Sequence, residues 1–252
     1  MNQDVRSRKE SASLLLKCMN EMEKYDISPV LETNMPGWHT HPSLGMVHNH
    51  RNFEQSGYYA QTLVMSEHTG AHVDAPIHIH GKLASIDEIP IDAMIGPYKK
   101  YDITSYKPKA GEPVTLEILK EIEERDNFRL EKGDIVLLDF GWDQYFKPDS
   151  KDPHEREWWG KNEPGLTEEA CKYFYEAGIK AVGSDTPAAD ICIVNGNIIS
   201  AFGHAQYFLP NNILILEGLQ NLNKIPIEGV FLATPLKIKG GSGSPIRPIV
   251  FG

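Results

Sequence analysis

His68, His72, Asp74, His78 and His80 stand within thirteen consecutive residues, punctuated by Gly70 and Pro76. Neutral imidazole and carboxylate are the ligands that suit a borderline divalent metal such as zinc or manganese. The cluster does not read as one helix face, because Gly70 interrupts the pattern and Pro76 removes a backbone donor and clashes with the preceding turn. An extended reading places His72 and Asp74 on the same side of a strand, since side chains alternate with period two. A turn at Gly70 then folds His68 back towards them. Three convergent ligands result, the number a catalytic metal takes while keeping a position open for water. A lone histidine of this kind reads as structural; five candidate ligands with this punctuation read as a metal site.

The rest of the chain must hold that segment in place. At 252 residues it is long enough for one domain that buries roughly three quarters of its unfolded surface. We read residues 1–252 as a single mixed α and β domain. Residues 11–24 place Leu15, Met19 and Met22 at helical spacing, an amphipathic helix that packs on the body or on a partner. Pro29 to Ser56 reads as a long loop whose Trp38, His39, His41, His48 and His50 suit a pocket wall. Tyr59–Met65 reads as a strand leading to His68. Further strands are expected at Asp134–Asp139, Ile179–Val182, Ile213–Leu216 and Val230–Ala233. Helices are expected at Thr115–Phe128 and from an N-cap at Thr167 to Ala177, with Gly178 as terminator. Lys239 to Ser244 reads as a Gly/Ser turn.

Composition narrows the function classes. Twenty-five basic residues stand against 35 acidic ones, a net charge of −10. That argues against nucleic-acid or anionic-membrane partners. Cys18, Cys171 and Cys192 are far apart and read as reduced thiols rather than a disulfide framework. The N-terminus reads as neither a signal peptide nor a membrane span. A cytoplasmic enzyme is the expectation.

The His68–His78 segment resembles the signature of the cyclase family of metal-dependent hydrolases, His-x-Gly-Thr-His-x-Asp-x-Pro-x-His. It matches at His68, Gly70, His72, Asp74, Pro76 and His78, and departs at Ala71, where the family has threonine. Asp26-Ile27-Ser28-Pro29 resembles the family's opening strand. Residues Gly183 to Asp190 resemble a later Gly-Ile-Asp-Thr-x-Ser-x-Asp segment. His204 and Glu217 resemble a late His and Glu pair, and the stretch from Pro235 to Arg247 resembles the closing strands. The resemblance implies a swivelling β/β/α three-layer fold, a divalent ion (Mn2+ or Zn2+) and a homo-oligomer, a homodimer being the simplest. It also implies hydrolysis of a small amide, either an isatin-like lactam or an aryl formamide such as N-formylkynurenine.

The chemistry expected runs as follows. Metal held by His68, His72 and Asp74 makes hydroxide available near neutral pH. His78 serves as general base and then acid. His80 points to the other side of a strand and is structural. His204 and Glu217 either complete a second metal site with Asp74 bridging or polarise the substrate. Trp38, Phe53 and Tyr58 are the expected pocket walls, and the cyclic amide is the expected substrate. Two other classes stay open: a metal-binding protein without catalysis, and a cupin-like oxygenase with iron and oxygen dependence.

Overall fold

The computed structural model describes residues 7–252, without the side chains of residues 47–50, so the rings of His48 and His50 fall outside the described residues. Nine strands form the main sheet. In chain order they are β1 (Lys24–Asp26), β2 (His72–Asp74), β3 (Ile95–Asp102), β4 (Ile135–Asp139) and β5 (Ala181–Ser184). They continue with β6 (Leu214–Glu217), β7 (Glu228–Leu232), β8 (Gly243–Pro245) and β9 (Ile249–Phe251). Their order across the sheet is β1-β9-β7-β3-β4-β5-β6-β2-β8. The central run β3-β4-β5-β6 is parallel, and the flanking pairs are antiparallel. Parallel strands are covered on both faces and so read as continuous apolar runs. All five residues of β4 are buried.

Period-two alternation splits that run between two cores. Val136 and Leu138 of β4, with Val182 and Ile215, pack against helices Leu116–Arg125 and Glu168–Ala177. Ile135 and Leu137, with Leu214 and Leu216, face a second core with Val73, Phe231 and Val250 from the sheet's outer strands. The sheet thus curls over itself on one face and takes helices on the other, giving the expected β/β/α layering. Both helices start at threonine caps, Thr115 accepting from the Ile118 amide and Thr167 from the Ala170 amide. Gly178, at φ 72, ends the second in the left-handed conformation that glycine adopts most cheaply.

Four expectations change. The N-terminal helix runs Arg8–Glu21, starting earlier than residue 11 because Ser7 and Glu10 form a capping box. No residue of it is buried in the single chain. The Pro29–Ser56 stretch is not all loop: Gly45–Arg51 pairs antiparallel with Ala60–Val64, and Phe53–Ser56 makes one helical turn between them. The strand expected at Tyr59–Met65 therefore belongs to this separate hairpin rather than to the sheet that carries His72. Finally, the Gly/Ser-rich segment supplies β8, paired with β2. Lys239 and Gly240 do make a turn, Gly240 at φ 69, but Gly243 marks a close approach: a Cβ there would lie 2.7 Å from His68 Cε1.

A buried polar node ties the helical layer to the sheet. Glu123, 1 % exposed, accepts from the Tyr101 hydroxyl at 2.8 Å, the Tyr173 hydroxyl at 2.6 Å and Lys120 Nζ at 3.1 Å. Removing the carboxylate strands two hydroxyls, one of them on a fully buried tyrosine. Glu123→Ala is expected to lower unfolding stability by about 2–5 kcal/mol, against about 1 kcal/mol for Tyr173→Phe. Urea unfolding curves of the two variants check this, and equal midpoints would contradict it.

Candidate metal centre

Strand β2 is only His72–Asp74, yet it sets the centre. Val73 enters the second core, so His72 and Asp74 both turn to the other face. Antiparallel register places His72 beside Glu217 of β6 and Asp74 beside Gly243 of β8. Gly70, at φ 66, makes the preceding turn, and a Cβ there would come within 2.6 Å of Leu31 Cδ2. The turn brings His68 Nδ1 to 2.7 Å from Asp74 Oδ1. His204 enters from a helical turn, Gly203–Tyr207, and its Nε2 lies 3.4 Å from Asp74 Oδ2 and 3.3 Å from Glu217 Oε1. His78 Nε2 is 3.8 Å from Asp74 Oδ2, and His72 Nε2 is 3.0 Å from Glu217 Oε2.

Hydrogen bonds on the outside of this cluster decide what faces its inside. The Nδ1–H of His72 donates to the Gly70 carbonyl at 2.9 Å, which leaves Nε2 bare and pointing inward. His204 donates Nδ1–H to Asp190 at 2.5 Å, and its Nε2 is likewise turned inward. Ser242 Oγ gives its proton to Glu67 at 2.8 Å, so it accepts from His68 Nε2 at 2.9 Å and leaves His68 Nδ1 against Asp74. Outer partners of this kind fix tautomer and ring orientation in metal sites. The result is that His68, His72 and His204, in their neutral forms, turn their N–H groups outward and their lone pairs towards the carboxylate oxygens. His72 Nε2, Asp74 Oδ2 and Glu217 Oε1 are buried without any hydrogen-bond partner. Such a set is repulsive unless a cation sits within it.

The electrostatics agree. Burial alone lowers an imidazole pKa, but the carboxylates of Glu217, 3.0 Å away, and Asp74 outweigh it and hold His72 at about 9. For His204 burial is likewise outweighed, chiefly by Asp190, and its pKa lies well above the usual range. Burial would raise Asp74, yet its bonds to His204 and His68 hold it well below the usual carboxylate range. A site that draws protons onto its imidazoles has a negative potential suited to a divalent ion, which displaces those protons on binding. Two sets of ligand atoms lie close enough to hold one: His68, Asp74 and His78, and His72, Asp74 and Glu217. Asp74 belongs to both. The structure thus brings together all six residues proposed for metal binding or catalysis, while dividing the expected trio His68, His72 and Asp74 between two sets. His80 is exposed, apart from the cluster.

A cavity of about 320 Å³ abuts the centre at His68 and is walled by Met35, Trp38, His41 and Leu44. Of the expected wall residues, Trp38, His39 and His41 line it. Phe53 and Tyr58 do not: they lie on the outlying hairpin, 71 % and 52 % exposed, because the pairing of Gly45–Arg51 with Ala60–Val64 carries that segment outward. Several contributors escaped sequence reading. Asp190, Ser242 and Glu67 act only through tertiary contacts that orient His204 and His68. His41, expected as pocket wall, comes closer to the centre than that reading implied: its ring lies 5.3 Å from that of His68 and its buried Nδ1 has no partner. Glu163 is fully buried, with one oxygen accepting from the Ala188 amide at 2.8 Å and the other unpartnered. Asp190 closes the Gly183–Asp190 segment already noted, but no spacing signal marks Glu67, Ser242 or Glu163.

The Glu67–Ser242–His68 chain yields a direct expectation. Ser242→Ala removes the acceptor that holds the His68 tautomer and is expected to weaken metal affinity about 10- to 100-fold. Competition with a metal-sensitive dye checks this; unchanged affinity would make the chain irrelevant to the ligand.

Comparison with known proteins follows from this geometry. Residues 25–191 match the family model Cyclase, described as "Putative cyclase". The chain is 29 % identical over 200 residues to a kynurenine formamidase of Salinibacter ruber, covering 79 % of this chain and 83 % of that protein. It is 28 % identical over 252 aligned positions to an isatin hydrolase of Roseibium aggregatum, covering 91 % of each. A crystal structure of an isatin hydrolase bound to the product analogue thioisatinate shares the fold, with a TM-score of 0.84, 24 % identity and coverage of 98 % and 99 % of the two chains. With the family model spanning well over half of its length, the metal-binding segment included, this chain belongs to the Cyclase family.

Proposed function

We propose that this protein is a metal-dependent amidohydrolase that opens a small cyclic amide of the isatin type, using one Mn2+ or Zn2+ held by His68, His72 and Asp74. The observation that carries the reading is the inward convergence of bare imidazole nitrogens and carboxylate oxygens beside a cavity of small-molecule size. When bound, the ion would acidify a water and polarise the scissile carbonyl. The protein's own groups do the remainder. His78, less buried than the other inward-facing histidines, takes the proton of the attacking water and delivers it to the leaving nitrogen. His204, fixed by Asp190 and held protonated by its carboxylate, donates Nε2–H to the charge developing on the carbonyl oxygen. Trp38 and Met35 offer apolar surface to a flat ring.

The lactam is supported by the isatin hydrolase relative, which matches over 91 % of both chains. An aryl formamide is the second reading, supported by the kynurenine formamidase relative. Glu217, 3.0 Å from His72 Nε2, also supports a two-ion variant in which Asp74 bridges.

Assembly is part of the same proposal. Leu14, Leu15 and Leu16 of the N-terminal helix are 44–61 % exposed, and Leu63 and Val64 of the hairpin are 43 % and 67 % exposed. A second copy of the chain is the proposed cover for this apolar surface. Among the described residues no helix is long and apolar enough to cross a membrane. The free thiols Cys171 and Cys192 are buried, in keeping with the proposed cytoplasmic location.

Asp74→Ala is expected to lose both metal and activity, whereas His78→Ala keeps the metal and loses on the order of 10²–10⁴-fold in rate. Metal analysis beside steady-state kinetics distinguishes them, and metal loss in His78→Ala would make His78 a ligand. Ring opening of isatin and deformylation of N-formylkynurenine, assayed side by side, decide the substrate. Turnover of the formamide alone would replace the lactam reading.

A further inference from the structure

The wall of the cavity carries a charge for which the hydrolytic centre has no use. Arg156, on helix Pro153–Trp159, lines the same cavity as Trp38 and His68. One of its guanidinium nitrogens donates to the Ser150 carbonyl. Among the described residues its guanidinium forms no ion pair with a carboxylate. The other cation of the wall, Lys161, is already matched by Glu157 at 2.6 Å, so that pair cancels and Arg156 remains unbalanced. In a chain of net charge −10, a positive charge left free inside a cavity is not what composition alone would produce. The carboxylates at the inner end do not serve it either, since Asp74 and Glu217 are directed to the histidines. The loop that carries Trp38 is pinned to the end of this helix, His39 Nδ1 donating to the Gly160 carbonyl at 3.1 Å. Apolar ring surface and free guanidinium therefore face one space.

We infer that Arg156 recognises a carboxylate on the substrate, at the end away from the scissile bond, so that the substrate class is an aromatic amide bearing an acid group. Guanidinium presents a planar fork of donors that matches a carboxylate, and one of its nitrogens is already anchored, which lowers the ordering cost. The inference rests on the amidohydrolase reading of the same site, and applies to a lactam and a formamide alike.

Pairs of substrates equal in shape and different in charge test it. Isatin-5-carboxylate is compared with isatin-5-carboxamide, and 4-formamidobenzoate with 4-formamidobenzamide, on metal-loaded protein. In whichever pair is hydrolysed, the acid is expected to have a kcat/KM about 10- to 100-fold above that of the amide, carried mainly by KM. Arg156→Gln is expected to level the two members by slowing the acid, and Arg156→Lys to restore part of the preference. Equal handling of both members by the wild type, or a preference that survives Arg156→Gln, overturns the inference. Hydrolysis of neither pair by metal-loaded protein counts instead against the amidohydrolase reading. Tryptophan fluorescence titration with the two acids and the two carboxamides then decides the inference by itself: tighter binding of the acids, lost in Arg156→Gln, upholds it, and equal binding overturns it.

Discussion

The structure depends on one constraint: the outward hydrogen bonds of His68, His72 and His204 are committed, so in their neutral forms these rings turn acceptors and no donors inward. The Gly70 carbonyl takes the proton of His72, Asp190 takes that of His204, and Ser242, itself bound to Glu67, takes that of His68. Asp74 then sits among nitrogens that have nothing to give it except a proton drawn from solvent. Buried unpartnered acceptors cost several kcal/mol in a folded protein. A divalent ion relieves all of them at once, and the fold is arranged around that possibility.

Such a cluster needs a rigid frame, and the curled sheet supplies it. β2 has three residues, too few to hold its place by itself, but it is paired on one side with β6 and on the other with β8. Val73 anchors it in the second core, and the alternation of a strand then turns His72 and Asp74 together towards the centre. A shift of one residue in this register would exchange Val73 with the ligands and bury two charged or polar groups in an apolar core. The same register is why Glu217 meets His72.

Around this frame the more adaptable parts gather on one side. The Pro36–Leu44 stretch and helix Pro153–Trp159 form the cavity walls, joined through His39 and Gly160, while the hairpin Gly45–Arg51/Ala60–Val64 stands outside the main sheet. Chemistry is thus carried by strands and their turns, and the surroundings of the substrate by loops and a short helix. Loops displayed on a rigid scaffold are where variation of specificity costs least stability.

Much of this was legible in the chain itself. The ligand residues lie close together in sequence, so period two, Gly70 and Pro76 were enough to place His72 with Asp74 and to fold His68 back. Threonine caps at Thr115 and Thr167 and the stop at Gly178 are local signals, and those helices fall close to where the pattern puts them. The buried run from Ile135 likewise announces a central strand. What sequence could not settle are relations between distant segments. Gly243 and Ser242 read as turn residues until β8 pairs with β2 and presses against His68. Phe53 and Tyr58 read as pocket walls until the hairpin takes them to the surface. Glu67 and Arg156 have no motif, and Asp190, though it closes a recognisable segment, shows no role there, because each matters through one contact or one shared cavity with residues far along the chain. Spacing in the sequence therefore singled out one short segment as the source of most candidate metal ligands, since residues carried by one segment share its local geometry, whereas Glu217 joins them only through the pairing of β6 with β2. The tautomer each imidazole presents and the shape and charge of the space beside it were decided by tertiary structure alone, because both depend on partners that only the closed sheet brings within hydrogen-bonding distance.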